Sequence, residues 1–140
     1  MDEDKIQARR REQDEEATRR RASILGLQYL DGREFEDTLP LLKDVLTIEE
    51  MYKGRLVPLA FNEEDQSYRF GVTSQTSESL MKRMRDQYVE NGKRIFFFLI
   101  SGSAFRSIML RFDPPKKVIY DNIEIAKEGD SDTLAQVTQT

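Results

Sequence analysis

Any chemistry in this chain has to be done without imidazole or thiol. There is no histidine and no cysteine among its 140 residues, which removes the usual proton shuttle, the thiolate nucleophile, the soft metal ligands and every disulfide. Carboxylates, guanidiniums and hydroxyls are what is left. Two acidic groupings are candidates for acid–base work or a cation site: Glu49 with Glu50, and Glu63 and Glu64 with Asp65. Neighbours on a helix point to different faces, the second grouping reads as a loop tip, and neither has apolar surroundings that would shift a carboxyl pKa. Neither is expected to be catalytic. The seven glycines, at 26, 32, 54, 71, 92, 102 and 129, never take the spacing of a phosphate-binding loop or a dinucleotide fingerprint. The turn Ser101-Gly102-Ser103 presents N–H groups and hydroxyls that an anion could use, but a capping serine accounts for it. No ATP hydrolysis, cofactor or metal site is expected within this chain.

The arginines and phenylalanines are the remaining candidates. Arg9 to Arg11 and Arg19 to Arg21 each place three guanidiniums in one helical turn, a pattern that can contact phosphates. Within residues 1–22, however, seven acids balance seven bases, and interleaved acids repel a polyanion. A solvated, salt-bridged helix or a protein-docking arm is the better reading, and nucleic acid is not an expected partner. Phe96, Phe97 and Phe98 resemble a base-stacking platform only until the strand is considered. Alternate residues face opposite ways there and no basic pattern follows, so they are assigned to the core.

These residues need elements to position them. The charged segment predicts a leading helix over 1–22, supported by the i,i+4 pairs Glu15–Arg19 and Glu16–Arg20 at about 0.3 kcal/mol each and stopped at Gly26. Its apolar residues gather toward the C-terminal end, which predicts that this end docks and the early half projects. A short strand follows over Leu27–Leu30, then the Asp31-Gly32 turn and one or two helical turns around Pro40 from Leu39 to Leu46. Thr47 with Glu50 forms a capping box for a short helix ending at Gly54. Leu56–Phe61 and Tyr68–Val72 read as an antiparallel hairpin in which Pro58 requires an edge or a bulge. Ser77 caps a helix through Tyr88 that ends at Asn91-Gly92. The apolar run Ile95–Ile100 predicts a central strand covered on both faces. A helix carrying Phe105, Ile108, Met109 and Phe112 then stops at Asp113-Pro114-Pro115, and Val118–Ile125 reads as an edge strand.

A chain of this length, 38% hydrophobic with a formal net charge of −4, fits one domain and a modest core. Its longest apolar run is too short to span a bilayer, and residues 1–22 lack the hydrophobic stretch of a secretory signal. The expected organisation is a leading helix over 1–22, a domain over 23–126, and a linker over 127–140 that begins a connector helix, as though the chain were the front piece of a longer protein. The expected fold is α/β (α+β): a two-layer domain with a small mixed sheet, preceded by the charged helix, with the helices from residues 77 and 103 covering the sheet.

In sequence order, several of these pieces resemble the N-terminal domain of the type II secretion and type IV pilus assembly ATPases. Ile24-Leu25-Gly26-Leu27-Gln28-Tyr29-Leu30-Asp31 is similar to that family's "leucine-glycine-leucine, proline-tyrosine-valine-aspartate" signature. Arg55-Leu56-Val57-Pro58-Leu59 resembles its "valine-proline-leucine" strand, and Ile95–Ile100 with Ser101-Gly102-Ser103 resembles its closing strand and helix. Gln28 replaces the usual proline, and Ser74-Gln75 stands where aspartate-proline is common. The resemblance spans residues 20–113.

It implies a domain without catalysis that docks a hexameric motor onto the cytoplasmic part of an inner-membrane platform protein, the ATPase domain lying outside this chain. The expected location is cytoplasmic and peripheral to the inner membrane. The expected contact residues, on the outer face of the leading helix, are Arg9, Arg10, Arg19 and Arg20. The alternative is a sensor of a nucleotide messenger such as cyclic di-GMP, although the motif by which some relatives bind it has no counterpart in residues 1–60. A hydrolase using carboxylates alone requires two of them to converge in a pocket.

Overall fold

The computed structural model describes residues 2–116. Helix α1 runs over Glu3–Leu25, with Asp2 accepting a hydrogen bond from the Asp4 N–H at its start. Gly26 ends it at φ 71°, where its N–H reaches the carbonyls of Ala22 and Ser23, a left-handed cap that only glycine adopts without cost. Strand β1 (Gln28–Tyr29) leads into a 3₁₀ turn at Gly32–Glu34. Helix α2 (Ile48–Gly54) opens with the Thr47/Glu50 capping box, both reciprocal hydrogen bonds being present. Strands β2 (Leu56–Asn62) and β3 (Ser67–Val72), helix α3 (Glu78–Glu90), strand β4 (Arg94–Leu99) and helix α4 (Gly102–Phe112) follow. Ser77 and Ser101 cap α3 and α4 by accepting from the N–H three residues on.

The strands form one mixed sheet in the order β1-β4-β3-β2. β2 and β3 are the antiparallel hairpin, while β4 is parallel to both of its neighbours. β4 is thus internal, and β2 lies at an edge with a register shift between Pro58 and Ala60. Proline occupies the place where a missing N–H costs least. The fold is α/β with a small mixed sheet and a charged leading helix.

Period-2 alternation divides the apolar residues between the two faces of the sheet. Leu56 joins Phe70, Val72, Ile95, Phe97 and Leu99 under Met84 of α3 and Ala22 of α1. Its neighbour Val57 joins Leu59 and Ile100 under Phe105, Ile108 and Phe112 of α4. Helices α3 and α4 therefore draw on opposite faces.

Several expectations are corrected. β4 is not covered on both faces: Phe97 is buried, but Phe98 is only half-buried and Phe96 is 43% exposed. Helix α4 packs against β2 and the 3₁₀ turn rather than along β4, so the assignment of all three phenylalanines to the core fails at Phe96. No helix forms over Leu39–Leu46, where the backbone makes turns. Pro40 biases Leu39 away from helical φ/ψ, and six residues before the Thr47 cap are too few to repay nucleation. The leading helix ends at Gly26 as expected, but its apolar end does not carry the docking: Ala22 is buried while Ile24 is 83% and Leu25 45% exposed, and the helix is held from Arg11 onward by polar contacts that an apolar pattern does not reveal. The expected strand at Val118–Ile125 and the linker and connector helix over 127–140 lie outside the described residues.

Candidate functional site

The attachment of α1 is built around one carboxylate. Glu15 is 0% exposed, and a buried carboxylate is tolerated only when paired and hydrogen-bonded. Its Oε2 accepts from Arg11 Nε at 2.6 Å and from Ser101 Oγ at 2.6 Å, and its Oε1 accepts from the Tyr29 hydroxyl. Arg11 continues the network by donating to both carboxylate oxygens of Glu36, at 2.7 and 3.3 Å. One residue earlier, Asp14 Oδ2 accepts from the Ser103 hydroxyl and from the Ser103 N–H. The anion-binding capacity expected of the Ser101-Gly102-Ser103 turn is therefore used by the chain's own carboxylates, which tie the N-terminus of α4 to the middle of α1.

Electrostatics follow this geometry. Hydrogen bonding to Glu36, and secondarily to Glu15, holds the Arg11 guanidinium above its ordinary pKa against the opposing effect of burial. Burial, reinforced by the bond to Glu15, pushes the Tyr29 phenol well up. Arg33 pairs with Asp31 and with Glu12 of α1, both at 2.7 Å, and its hydrogen bond lowers the Asp31 pKa.

The four predicted contact arginines are all exposed. At 3.6 residues per turn, Arg9 and Arg20 lie about three turns apart on one line, opposite the side that carries Arg11, Glu15 and Ala22. Arg10 and Arg19 fall on opposite flanks of that line, so the structure aligns two of the four. Arg19 is drawn into the chain's own contacts, donating to Glu16 at 2.8 Å and lying 5.4 Å from the Tyr29 ring centroid. No ion pair involves Arg9, Arg10 or Arg20 among the described residues.

The carboxylate groupings do not converge. Glu50 is spent on its capping box, where its Oε1 accepts from the Thr47 N–H at 2.8 Å. Glu63, Glu64 and Asp65 sit exposed in the hairpin loop, Asp65 accepting from the Ser67 hydroxyl at 2.7 Å. Among the described residues no three acidic side chains are placed to share a metal ion.

Sequence reasoning missed a crevice of about 300 Å³ beyond the carboxyl ends of β3 and β4, bordered by Arg21, Arg55 and Arg106. These residues come from α1, the C-cap of α2 and the first turns of α4. Their separation in sequence hid them, although the parallel pairing of β3 with β4 would have pointed to this end of the sheet. Arg21 belongs to the second arginine triplet but not to the four predicted contact residues.

Comparison with protein-family models, with curated proteins and with solved structures finds no match.

Proposed function

We propose that this chain is a non-catalytic docking domain of the kind that couples a secretion or type IV pilus assembly ATPase to the cytoplasmic part of its inner-membrane platform protein. The observation that carries the reading is the way α1 is held. Its middle is locked to the domain through Glu15, Asp14 and Arg11, while Arg9 and Arg20 form an outward line with no ion-pair partner in the described residues. A fixed ridge of guanidiniums loses little entropy on binding an acidic surface, which favours a specific partner. The ordered resemblance over residues 20–113 supports the same reading. In it, the motor lies in the same polypeptide, assembles as a hexamer, and works at the cytoplasmic side of the inner membrane through its partner. Among the described residues, no helix is long and apolar enough to cross a membrane.

The alternative, messenger sensing by the leading arginines, has only Arg21 of the two triplets at the crevice; Arg9, Arg10, Arg19 and Arg20 do not line it. Co-expression with the platform protein's cytoplasmic domain tests the docking reading. The two chains are expected to elute together in size-exclusion chromatography and the Arg9→Glu/Arg20→Glu variant to elute separately; separate elution of the unaltered chains contradicts the reading.

A further inference from the structure

β3 and β4 are parallel neighbours whose ends meet at the pair Val72 and Leu99. From there the chain leaves β3 for α3 on one face of the sheet and leaves β4 for α4 on the other. Connections that diverge in this way open a crevice at the carboxyl ends of the strands, the place where α/β sheets bind ligands. Here that crevice holds about 300 Å³, enough for a small molecule.

Its charge defines the ligand. Arg21, Arg55 and Arg106 line it together with one acid, Asp14, leaving a surplus of two positive charges. Asp14 is already engaged by Ser103, whereas none of the three arginines forms an ion pair among the described residues. A carboxylate is satisfied by one guanidinium fork; three guanidiniums match a group with about two negative charges and three acceptor oxygens. Ser74 and Gln75 border the same space and offer groups for the rest of such a molecule.

Arg55 is also held in place before any ligand arrives. Its backbone sits at φ 57°, a left-handed conformation that a non-glycine residue keeps only where its surroundings enforce it. The buried Thr76 hydroxyl does so, donating to the Arg55 carbonyl while accepting from the Thr73 N–H at 3.0 Å. The guanidinium lies 5.8 Å from the Phe105 ring centroid, a stacking contact that limits its rotamers.

We propose that the crevice between α1, α4 and the loop after β3 is a binding site for a small phosphate-bearing molecule, whose phosphate is held by Arg21, Arg55 and Arg106. The site lies apart from the Arg9–Arg20 ridge, so it stands or falls independently of the docking reading.

The test is an NMR titration of the full chain with inorganic phosphate, pyrophosphate and, as a carboxylate counterpart, citrate. Saturable pyrophosphate shifts are expected at the amides of Gln75 and Gly102, with binding at least about tenfold weaker in Arg55→Gln/Arg106→Gln. Should that double variant fail to fold by circular dichroism, Arg21→Gln, an exposed change on α1, is expected to weaken binding about threefold by itself. Absence of saturable shifts, binding unchanged in the variants, or tighter binding of citrate than of pyrophosphate overturns the proposal.

Discussion

Glu15 and Ser101 lie 86 positions apart in the chain, and their side chains meet at 2.6 Å in the buried seam between α1 and α4. The same serine hydroxyl accepts from the Ala104 N–H at 3.0 Å, so one atom caps α4 and fixes α1. Replacing Glu15 with alanine leaves Arg11, Tyr29 and Ser101 without their shared acceptor. The expected loss is about 3 kcal/mol, read as a Tm drop of roughly 10–12 °C by thermal denaturation. Glu15→Gln keeps the shape and one acceptor and should lose about half as much.

The close approach of the 3₁₀ turn to α4 gives a second prediction. A Cβ built on Gly32 runs into the Ala104 side chain. Gly32→Ala is therefore expected to destabilise by about 1–3 kcal/mol in urea unfolding. Ala104→Gly, which removes the obstructing methyl, should recover part of that loss in a double-mutant cycle.

Alkaline pH tests the environment of Tyr29. Burial and the bond to Glu15 raise its pKa in the folded state above the ordinary value of 10.0. The contribution of neutral Tyr29 is fully present below about pH 10 and is lost as pH rises toward the folded value. Stability should fall above that pH, and Tyr29→Phe should make the fall shallower. Some slope persists in that variant because burial also raises Tyr88, and the bond to Asp113 raises Tyr52.

The outward arginines should behave differently from Arg11. Arg9→Glu and Arg20→Glu are expected to change stability by no more than about 0.5 kcal/mol, because no ion pair within the described residues depends on either. Arg11→Ala leaves Glu15 and Glu36 facing each other without their shared cation and should cost about 2–4 kcal/mol. Parallel urea titrations of the three variants check the contrast.

Much of the fold was legible in local chemistry. The Thr47/Glu50 box, the caps at Ser77 and Ser101, the end at Gly26 and the edge placement of Pro58 are each fixed by a few adjacent residues. What escaped depends on contacts between distant positions. The docking of α1 rests on a buried carboxylate inside a segment that is polar all round, and a charged residue carries no sign in the sequence that it will be buried. The exposure of Phe96 depends on where α4 packs on the sheet, and its apolar neighbours gave the opposite expectation. Likewise, Arg21, Arg55 and Arg106 converge only because β3 and β4 end side by side with their helices on opposite faces. Periodicity and spacing do not encode that convergence.

Calorimetric titration of the chain with the cytoplasmic domain of the platform protein addresses the docking function most directly. The account predicts a saturable, salt-sensitive one-to-one interaction that weakens at least about tenfold in Arg9→Glu/Arg20→Glu. An absence of heat with the unaltered chain, or an affinity that the charge reversal leaves intact, contradicts it.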